Sequence, residues 1–277
     1  MNHMTRENIR MQQSGHPTRS TLRAALGLVL AVLGSAALAQ TPALFTLNYD
    51  ARYGSWTAQS VRSLTQEEAA GVYHLQAQSK VVLLGQSVST ITEDSIFTLE
   101  GGLPQTRSYS FRQTGIGARA RSVEFDRSAG LARYRVKDKL GEVALQGPVY
   151  DELTTFLVLR QHLERGETDI VFDVLDRDHI ETHHYRVVSD DTLPTALGDF
   201  AAVHVERVRD EGNRRRTEFW LAREHDYVLL KLEQSEPDGS DIGLDINGGV
   251  VNGQPLLPRQ ESPMNELEHS NDTSSAP

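Results

Sequence analysis

The chain has 277 residues, of which 38 are Asp or Glu and 28 are Lys or Arg, so its formal net charge is −10. This acidic balance argues against a general nucleic-acid-binding protein, which needs a basic face, and a hydrophobic content of 38% excludes a polytopic membrane protein. Because the chain contains no cysteine, disulfides, thiolate metal sites and cysteine nucleophiles are also excluded.

The N-terminal residues 1–39 have the pattern of a secretory signal peptide. Four arginines and one glutamate precede an apolar run at residues 24–39 that ends Ala37-Leu38-Ala39, a small-x-small cleavage site. As a helix this run would span about 24 Å, less than the roughly 30 Å of a bilayer core. We therefore predict a bacterial protein of the periplasm, or a secreted one, that is exported by a cleavable signal peptide; an uncleaved N-terminal anchor is the alternative.

From residue 45 to residue 246 the hydrophobic pattern repeats every two residues. Tyr73, Leu75 and Ala77 share one strand face, and His74 and Gln76 share the other. An apolar face that alternates with a polar one is typical of antiparallel strands with one wet side. Turn-forming residues separate these runs, and we predict about ten to twelve strands.

One segment has a helical pattern instead. Its apolar residues lie three and four apart, with Asp151 as an N-cap or first-turn acid and Gly166 as the residue after the helix. We predict a helix from about Tyr150 to Arg165 that covers a sheet. The predicted fold is mainly β: a highly curved antiparallel sheet, or an open β-barrel or sandwich, with one packed α-helix.

The predicted organisation is a signal peptide at 1–39, a single β-rich domain at 40–247 and a disordered C-terminal tail at 248–277. The tail is predicted because residues after 247 are rich in Gly and Pro and poor in apolar side chains.

Several short motifs, in order along the chain, resemble a known family. They are Tyr49-Asp50 with Gly54, Pro104 before Tyr109 and Phe111, Phe125-Asp126, the segment Tyr150 to Arg160, Leu197-Gly198-Asp199-Phe200 and Phe219-Trp220-Leu221-Ala222. Together they resemble the exported bacterial proteins of domain-of-unknown-function family 3108 over about residues 44–246. The resemblance implies an exported, β-rich domain and no activity. A weaker analogy, in fold alone, is to periplasmic lipoprotein carriers, whose concave side holds acyl chains.

The densest group of potential metal ligands lies between residues 178 and 184. On a strand, His179, Glu181 and His183 would share one face, and two imidazoles with a carboxylate can bind zinc or another divalent ion. The alternative is a solvated face, with Ile180, Thr182 and His184 pointing inward. A hydrolase that uses the side chains of the same face is a further alternative, although no G-x-S-x-G motif occurs.

Two further sets of side chains are candidates for ligand binding. Trp56 could line a cavity mouth, and Tyr150, Phe156 and Leu157 would line the interior if the curved sheet stays open; they are core residues otherwise. Arginines also recur at alternate positions, which would make a cationic stripe for phosphate or an anionic glycan if the faces adjoin. The pairs are Arg119/Arg121, Arg133/Arg135, Arg207/Arg209 and Arg214/Arg216.

We therefore expect a non-enzymatic domain that binds or scaffolds an envelope lipid, lipoprotein or peptide. The alternatives are a metal-binding protein or hydrolase using His179, Glu181 and His183, and a module that docks a protein partner on an edge strand or through the acidic tail. No cofactor is expected, since neither a P-loop nor G-x-G-x-x-G occurs. Nucleic acid is not an expected partner, and the cleaved chain would not be an integral membrane protein.

Overall fold

A computed structural model describes residues 41–259, which form sixteen β-strands and one α-helix. The elements in chain order are β1 (Phe45–Tyr53), β2 (Trp56–Gln66), β3 (Val72–Leu83), β4 (Gln86–Glu100), β5 (Leu103–Gly115), β6 (Arg119–Asp126), β7 (Leu131–Val136), β8 (Lys139–Ala144), β9 (Val149–Asp151), α1 (Thr155–Glu164), β10 (Asp169–Asp176), β11 (His179–Thr195), β12 (Gly198–Val208), β13 (Arg216–Ala222), β14 (Val228–Ser235), β15 (Asp241–Val251) and β16 (Gln254–Pro255).

All the strands belong to one sheet, and the predicted fold class is confirmed. The order is β8-β7-β6-β5-β4-β3-β2-β1-β15-β14-β13-β12-β11-β10-β9, with β16 added beside β15. Neighbours are antiparallel except β9 and β10, which are parallel because α1 connects them. Strand β1 joins the two halves of the sheet, since it pairs with β2 on one side and with β15 on the other.

The sheet curls until its two ends approach each other without forming a backbone ladder. Lys139 Nζ at the start of β8 lies 2.7 Å from Asp178 Oδ2 in the β10–β11 turn. Arg127, in the β6–β7 turn, donates from Nη2 to the carbonyl of Val149 in β9 at 2.9 Å. Side chains therefore connect the ends of an open barrel.

Helix α1 fills the interior of this curled sheet. In β1, Phe45, Leu47 and Tyr49 alternate with exposed residues and are buried in a single hydrophobic core that also contains the apolar face of the helix. The rings of Phe45 and Phe156 lie 6.0 Å apart. Within residues 41–259, no helix is long and apolar enough to cross a bilayer.

The helix begins later than the sequence predicts. Tyr150 and Asp151 belong to strand β9, and α1 starts at Thr155. The reason is that Asp151 Oδ1 accepts hydrogen bonds from the backbone N–H groups of Leu153 and Thr154, at 2.9 and 3.0 Å. Aspartate that bonds the backbone two and three residues ahead makes a turn rather than an N-cap at the helix start.

The predicted helix end at Gly166 is confirmed. Gly166 has a φ of +78°, which a glycine adopts without strain. Its N–H bonds the carbonyl of Leu163 at 2.9 Å, and the N–H of Glu167 bonds the carbonyl of His162 at 3.1 Å. This pair of bonds is the Schellman motif, which satisfies the last carbonyls of the helix.

The β-rich domain continues beyond the predicted boundary at residue 247. Strand β15 runs to Val251, β16 follows, and Leu256 is buried. A side chain at Gly249 would lie 2.8 Å from Leu47 Cδ2 and 2.9 Å from the carbonyl of Thr46. The glycines here therefore allow close strand packing rather than marking a tail, and the predicted tail is wrong for residues 248–259. The predicted signal peptide and residues 260–277 lie outside the described residues.

Candidate functional site

The four predicted ligand-binding residues occupy two different places. Tyr150, Phe156 and Leu157 are buried in the core, whereas Trp56 is 43% exposed beside the β1–β2 turn. A cavity that Leu157 lines has a volume of about 50 Å³, which is room for a few water molecules and not for an acyl chain. The structure therefore brings three of these residues together as the interior packing of the sheet, and their role in ligand binding stays a prediction.

The predicted metal residues do share one face of β11, but they do not converge. His183 is buried, its Nδ1 lies 3.0 Å from the hydroxyl of Tyr185, and its Nε2 lies 3.4 Å from Glu181 Oε2. His179 is exposed at the strand start, 3.5 Å from Asp178. No group of three or more His, Asp and Glu side chains between residues 41 and 259 is arranged to hold a metal ion. The metal site stays a prediction.

The face of β11 that carries the predicted metal residues is buried at His183 and exposed at His179 and Glu181, and Ile180 on the other face packs against the core. His183 packs against Phe172 and Tyr185, at centroid distances of 6.3 and 5.9 Å. Burial, with the nearby positive charge of Arg207, lowers the pKa of His183 to about 4. Glu181 Oε1 lies 3.0 Å from Arg207 Nη2. This cluster therefore has its charges paired and its histidine neutral near pH 7.

A buried carboxylate at the end of β9 ties distant strands together. Asp151 Oδ2 accepts hydrogen bonds from Ser95 at 2.8 Å, Thr106 at 2.6 Å and Thr154 at 3.0 Å. Burial raises the pKa of Asp151, and these hydrogen bonds lower it. The sequence does not reveal this cluster, because Ser95 and Thr106 are 56 and 45 residues away. Its role is structural, since the side chain is enclosed and its oxygens are satisfied.

A second acidic side chain, Glu152, belongs to a network on the inner face of β5 and β6. Arg121 Nη2 contacts Glu152 Oε2 and donates to the hydroxyl of Tyr109 at 3.1 Å, and that hydroxyl donates to Glu93 Oε1 at 2.7 Å. Burial, and secondarily a hydrogen bond with Asp176, raise the pKa of Glu152 to about 8. The network therefore binds a proton between the two ends of the sheet near neutral pH.

This proton should make stability depend on pH. Since the folded pKa of Glu152 lies above its ordinary value of 4.5, its contribution is complete below about pH 4.5 and is lost as the pH rises through about 8. Glu152→Gln should remove this part of the decline, on the order of 2 kcal/mol after allowance for partial exposure. Urea unfolding of both proteins at pH 5 and pH 8 measures it, and equal declines would contradict the assignment.

A cavity of about 420 Å³ lies against β5, β6 and the β7–β8 turn. Most of its lining belongs to the outer face of these strands, and Phe111, Arg119 and Arg121 of the inner face line it as well. Its floor is made of the small side chains of Ser110, Ala120 and Ser122. In β5 and β6 these residues alternate with the buried Tyr109 and Val123, so they point away from the core. The sequence pattern contains a signal for this floor, since the small residues serine and alanine occupy these positions of the outer face.

Cationic side chains surround this floor. Arg112 stands across from Ala120, Arg135 stands across from Ser122, and Lys137 lies in the β7–β8 turn. All three are exposed, and in the part of the chain that the structure describes none has an acidic partner within 4 Å. Asp138 is the one acidic residue among the described residues that line the cavity, and Arg119 lines it too. We call Arg112, Arg135 and Lys137 the cationic triad.

The predicted arginine stripe is only partly assembled. Arg119 and Arg121 lie over the ring of the inward-facing Phe111, so they occupy the inner face, whereas Arg135 occupies the outer face. Four of the other five arginines of the pairs contact neighbours, with Arg214 the exception: Arg133 contacts Asp126 and Glu142, Arg207 contacts Glu181, Arg209 contacts Thr217, and Arg216 contacts Glu218. Arg112, which belongs to none of the predicted pairs, completes the cavity instead.

The fold and this cavity define a class: a single curled, almost entirely antiparallel sheet, packed inside by a helix, with a cavity lined by cationic side chains. The chain belongs to the family described as "Protein of unknown function (DUF3108)", whose model matches residues 48–247, so the predicted family is confirmed. A beta-barrel-like protein of domain of unknown function DUF1849 from Brucella abortus is similar in structure, with 15% identity, a TM-score of 0.48 and coverage of 74% of this chain and 98% of the other. A search of curated proteins finds no match.

Proposed function

We propose that this domain is a non-enzymatic binding protein of the bacterial envelope, and that its outer cavity holds the phosphate-bearing headgroup of an anionic envelope lipid. The observation that carries the proposal is the cationic triad around a floor of small side chains. Location in the envelope is supported by the secretory pattern of residues 1–39.

The chemistry of the cavity suits a phosphate group. Arginine offers a planar fork of N–H donors that matches two phosphate oxygens, and lysine adds a point charge. Because the triad lacks acidic partners among the described residues, a bound anion breaks no ion pair. The attraction of an anion is confined to the surroundings of the cationic triad, because the chain as a whole is acidic, with a net charge of −10.

Two features favour binding over catalysis and over an internal carrier. The described residues lining the cavity include no histidine and one carboxylate, Asp138, so few groups there can transfer protons. The interior, where a lipoprotein carrier would hold acyl chains, is filled by Phe156 and the rest of α1. A lipoprotein or peptide ligand would therefore also contact the outer face.

The test is a calorimetric titration of the protein with monomeric, short-chain phosphatidylglycerol, which measures the binding affinity. Replacing Arg112, Arg135 and Lys137 together by alanine should weaken binding at least tenfold, because charge-assisted hydrogen bonds contribute about 1.5–3 kcal/mol each. A matched control replaces Arg186, Arg223 and Arg259, which lie outside the cavity, and changes the net charge equally. The control should bind as the wild-type protein does.

The lipid headgroup can be distinguished from free phosphate by repeating the titration with inorganic phosphate and with short-chain phosphatidylcholine. Equal affinity for inorganic phosphate would identify a phosphate site and reject the lipid. Equal loss of affinity in the triad variant and in the control would show that net charge alone attracts the ligand, and would reject the cavity.

A further inference from the structure

The hairpin tips next to the cationic triad expose large apolar side chains. Strands β1 to β8 are consecutive neighbours in the sheet, so the β1–β2, β3–β4, β5–β6 and β7–β8 turns lie side by side at one end. Eight strands at about 4.8 Å spacing extend over roughly 34 Å along the sheet. We call these four turns with their flanking residues the tip row.

Exposed apolar residues are concentrated there. Of the twelve exposed large hydrophobic side chains among the described residues, seven belong to the tip row. They are Tyr53, Trp56, Val82, Leu83, Leu84, Ile116 and Leu140. Scattered single apolar residues are ordinary on a surface, whereas a contiguous group marks an interaction site.

Leu84 is the clearest of them. It is 97% exposed and has a φ of +50°, and Gly85 beside it has a φ of +80°. With Leu83 paired to Gln86, this is a two-residue hairpin turn whose first central position favours Asn, Asp or Gly. A leucine here adds backbone strain and exposed apolar surface, and neither helps folding. A residue that breaks a local rule without a structural gain is expected where function requires it.

The same end of the sheet carries positive charge. Residues 80–89, 112–122 and 135–140, which form three of the four tips, contain seven Lys and Arg and a single acidic residue, Asp138. Arg121 contacts Glu152 and Lys139 contacts Asp178, and the other five cations have no acidic partner within 4 Å among the described residues. Apolar side chains flanked by basic ones are the composition of a surface that lies on an anionic bilayer, with the apolar groups among the headgroups and the cations at the phosphates. Tyr and Trp favour that interface.

We propose that the tip row docks on the surface of an anionic lipid bilayer, with Leu84, Ile116 and Trp56 entering the headgroup region. This inference deepens the proposed function, since docking would bring the cationic triad to the headgroup phosphates. Charge complementarity favours the bilayer over a second copy of this acidic chain.

The test measures sedimentation of the purified protein with vesicles of phosphatidylglycerol and phosphatidylcholine, and with vesicles of phosphatidylcholine alone. The wild-type protein should bind the anionic vesicles, and high salt should weaken binding. Leu84→Asn with Ile116→Ser should reduce the affinity about 100-fold, since each large apolar side chain contributes roughly tenfold. Asn suits the left-handed conformation at residue 84, so the midpoint of thermal unfolding should not fall.

A matched control replaces two exposed apolar residues outside the tip row, Val171→Thr with Leu257→Asn. This control should bind vesicles as the wild-type protein does. In a Trp220→Phe background, Trp56 is the single tryptophan, and its fluorescence should shift to shorter wavelength when anionic vesicles are added. An unchanged spectrum would overturn insertion of this tip.

The outcomes separate the two proposals. Wild-type binding to monomeric phosphatidylglycerol without vesicle binding would overturn docking and leave the cavity proposal standing. Vesicle binding that depends on Leu84 and Ile116 but not on the triad would overturn the cavity proposal and leave docking standing. A wild-type dimer in solution that the Leu84→Asn, Ile116→Ser variant converts to a monomer, without vesicle binding, would assign the tip row to contact between copies and overturn docking.

Discussion

Asp151→Ala is expected to destabilise the protein by about 3–4 kcal/mol. The substitution removes the acceptor of three hydroxyl donors, Ser95, Thr106 and Thr154, and of the backbone N–H groups of Leu153 and Thr154. Each buried donor left without a partner costs about 1–3 kcal/mol, and local relaxation recovers part of that sum. Equilibrium urea unfolding measures the loss, and the thermal midpoint should fall by about 10 °C.

Asp151→Asn is the matched control, because it keeps the size of the side chain and an oxygen for the backbone N–H groups. Two of the three hydroxyl groups can rotate to accept from the two N–H donors of the new amide, so we expect a smaller loss of about 1–2 kcal/mol. If Asp151→Ala and Asp151→Asn destabilised equally, the hydrogen bonds to the hydroxyl groups would not contribute as described.

Phe156→Ala should destabilise the protein by about 3–5 kcal/mol, the range for removal of a buried phenylalanine. The ring is buried, contacts Phe45 at 6.0 Å and lies 5.9 Å below the guanidinium of Arg62. Its removal leaves a cavity between the helix and the sheet. Urea unfolding of the variant measures the free energy of unfolding directly.

This result also distinguishes a core residue from a ligand-lining one. Phe156→Leu retains most of the volume and should lose about 1 kcal/mol, and Val171→Ala, on an exposed position of β10, should change stability by less than about 0.5 kcal/mol. A loss of stability below about 1 kcal/mol for Phe156→Ala would show that the residue faces an open space. That result would favour a ligand-binding site in the interior of the sheet.

The location of the candidate site was less accessible from the sequence than the fold was. Alternate arginines indicated cationic faces, but Arg133 and Arg135 lie on the opposite face from Arg119 and Arg121, and Arg133 is neutralised by neighbours. Strand register decides which of them meet, because a shift of one residue exchanges the two faces. Arg112 joins the cavity only through the pairing of β5 with β6.

The sequence by itself determined the class of fold: an antiparallel sheet from the period of two, one helix from the period near 3.6, and the helix end at Gly166 from its left-handed preference. These are local properties, which neighbouring residues decide. Only the tertiary structure decided that Tyr150 and Asp151 form a strand, that residues beyond 247 continue the sheet, and that Arg112, Arg135 and Lys137 surround one cavity. Each of these depends on partners in other strands, and the energy of such contacts exists only once the sheet has curled around its helix.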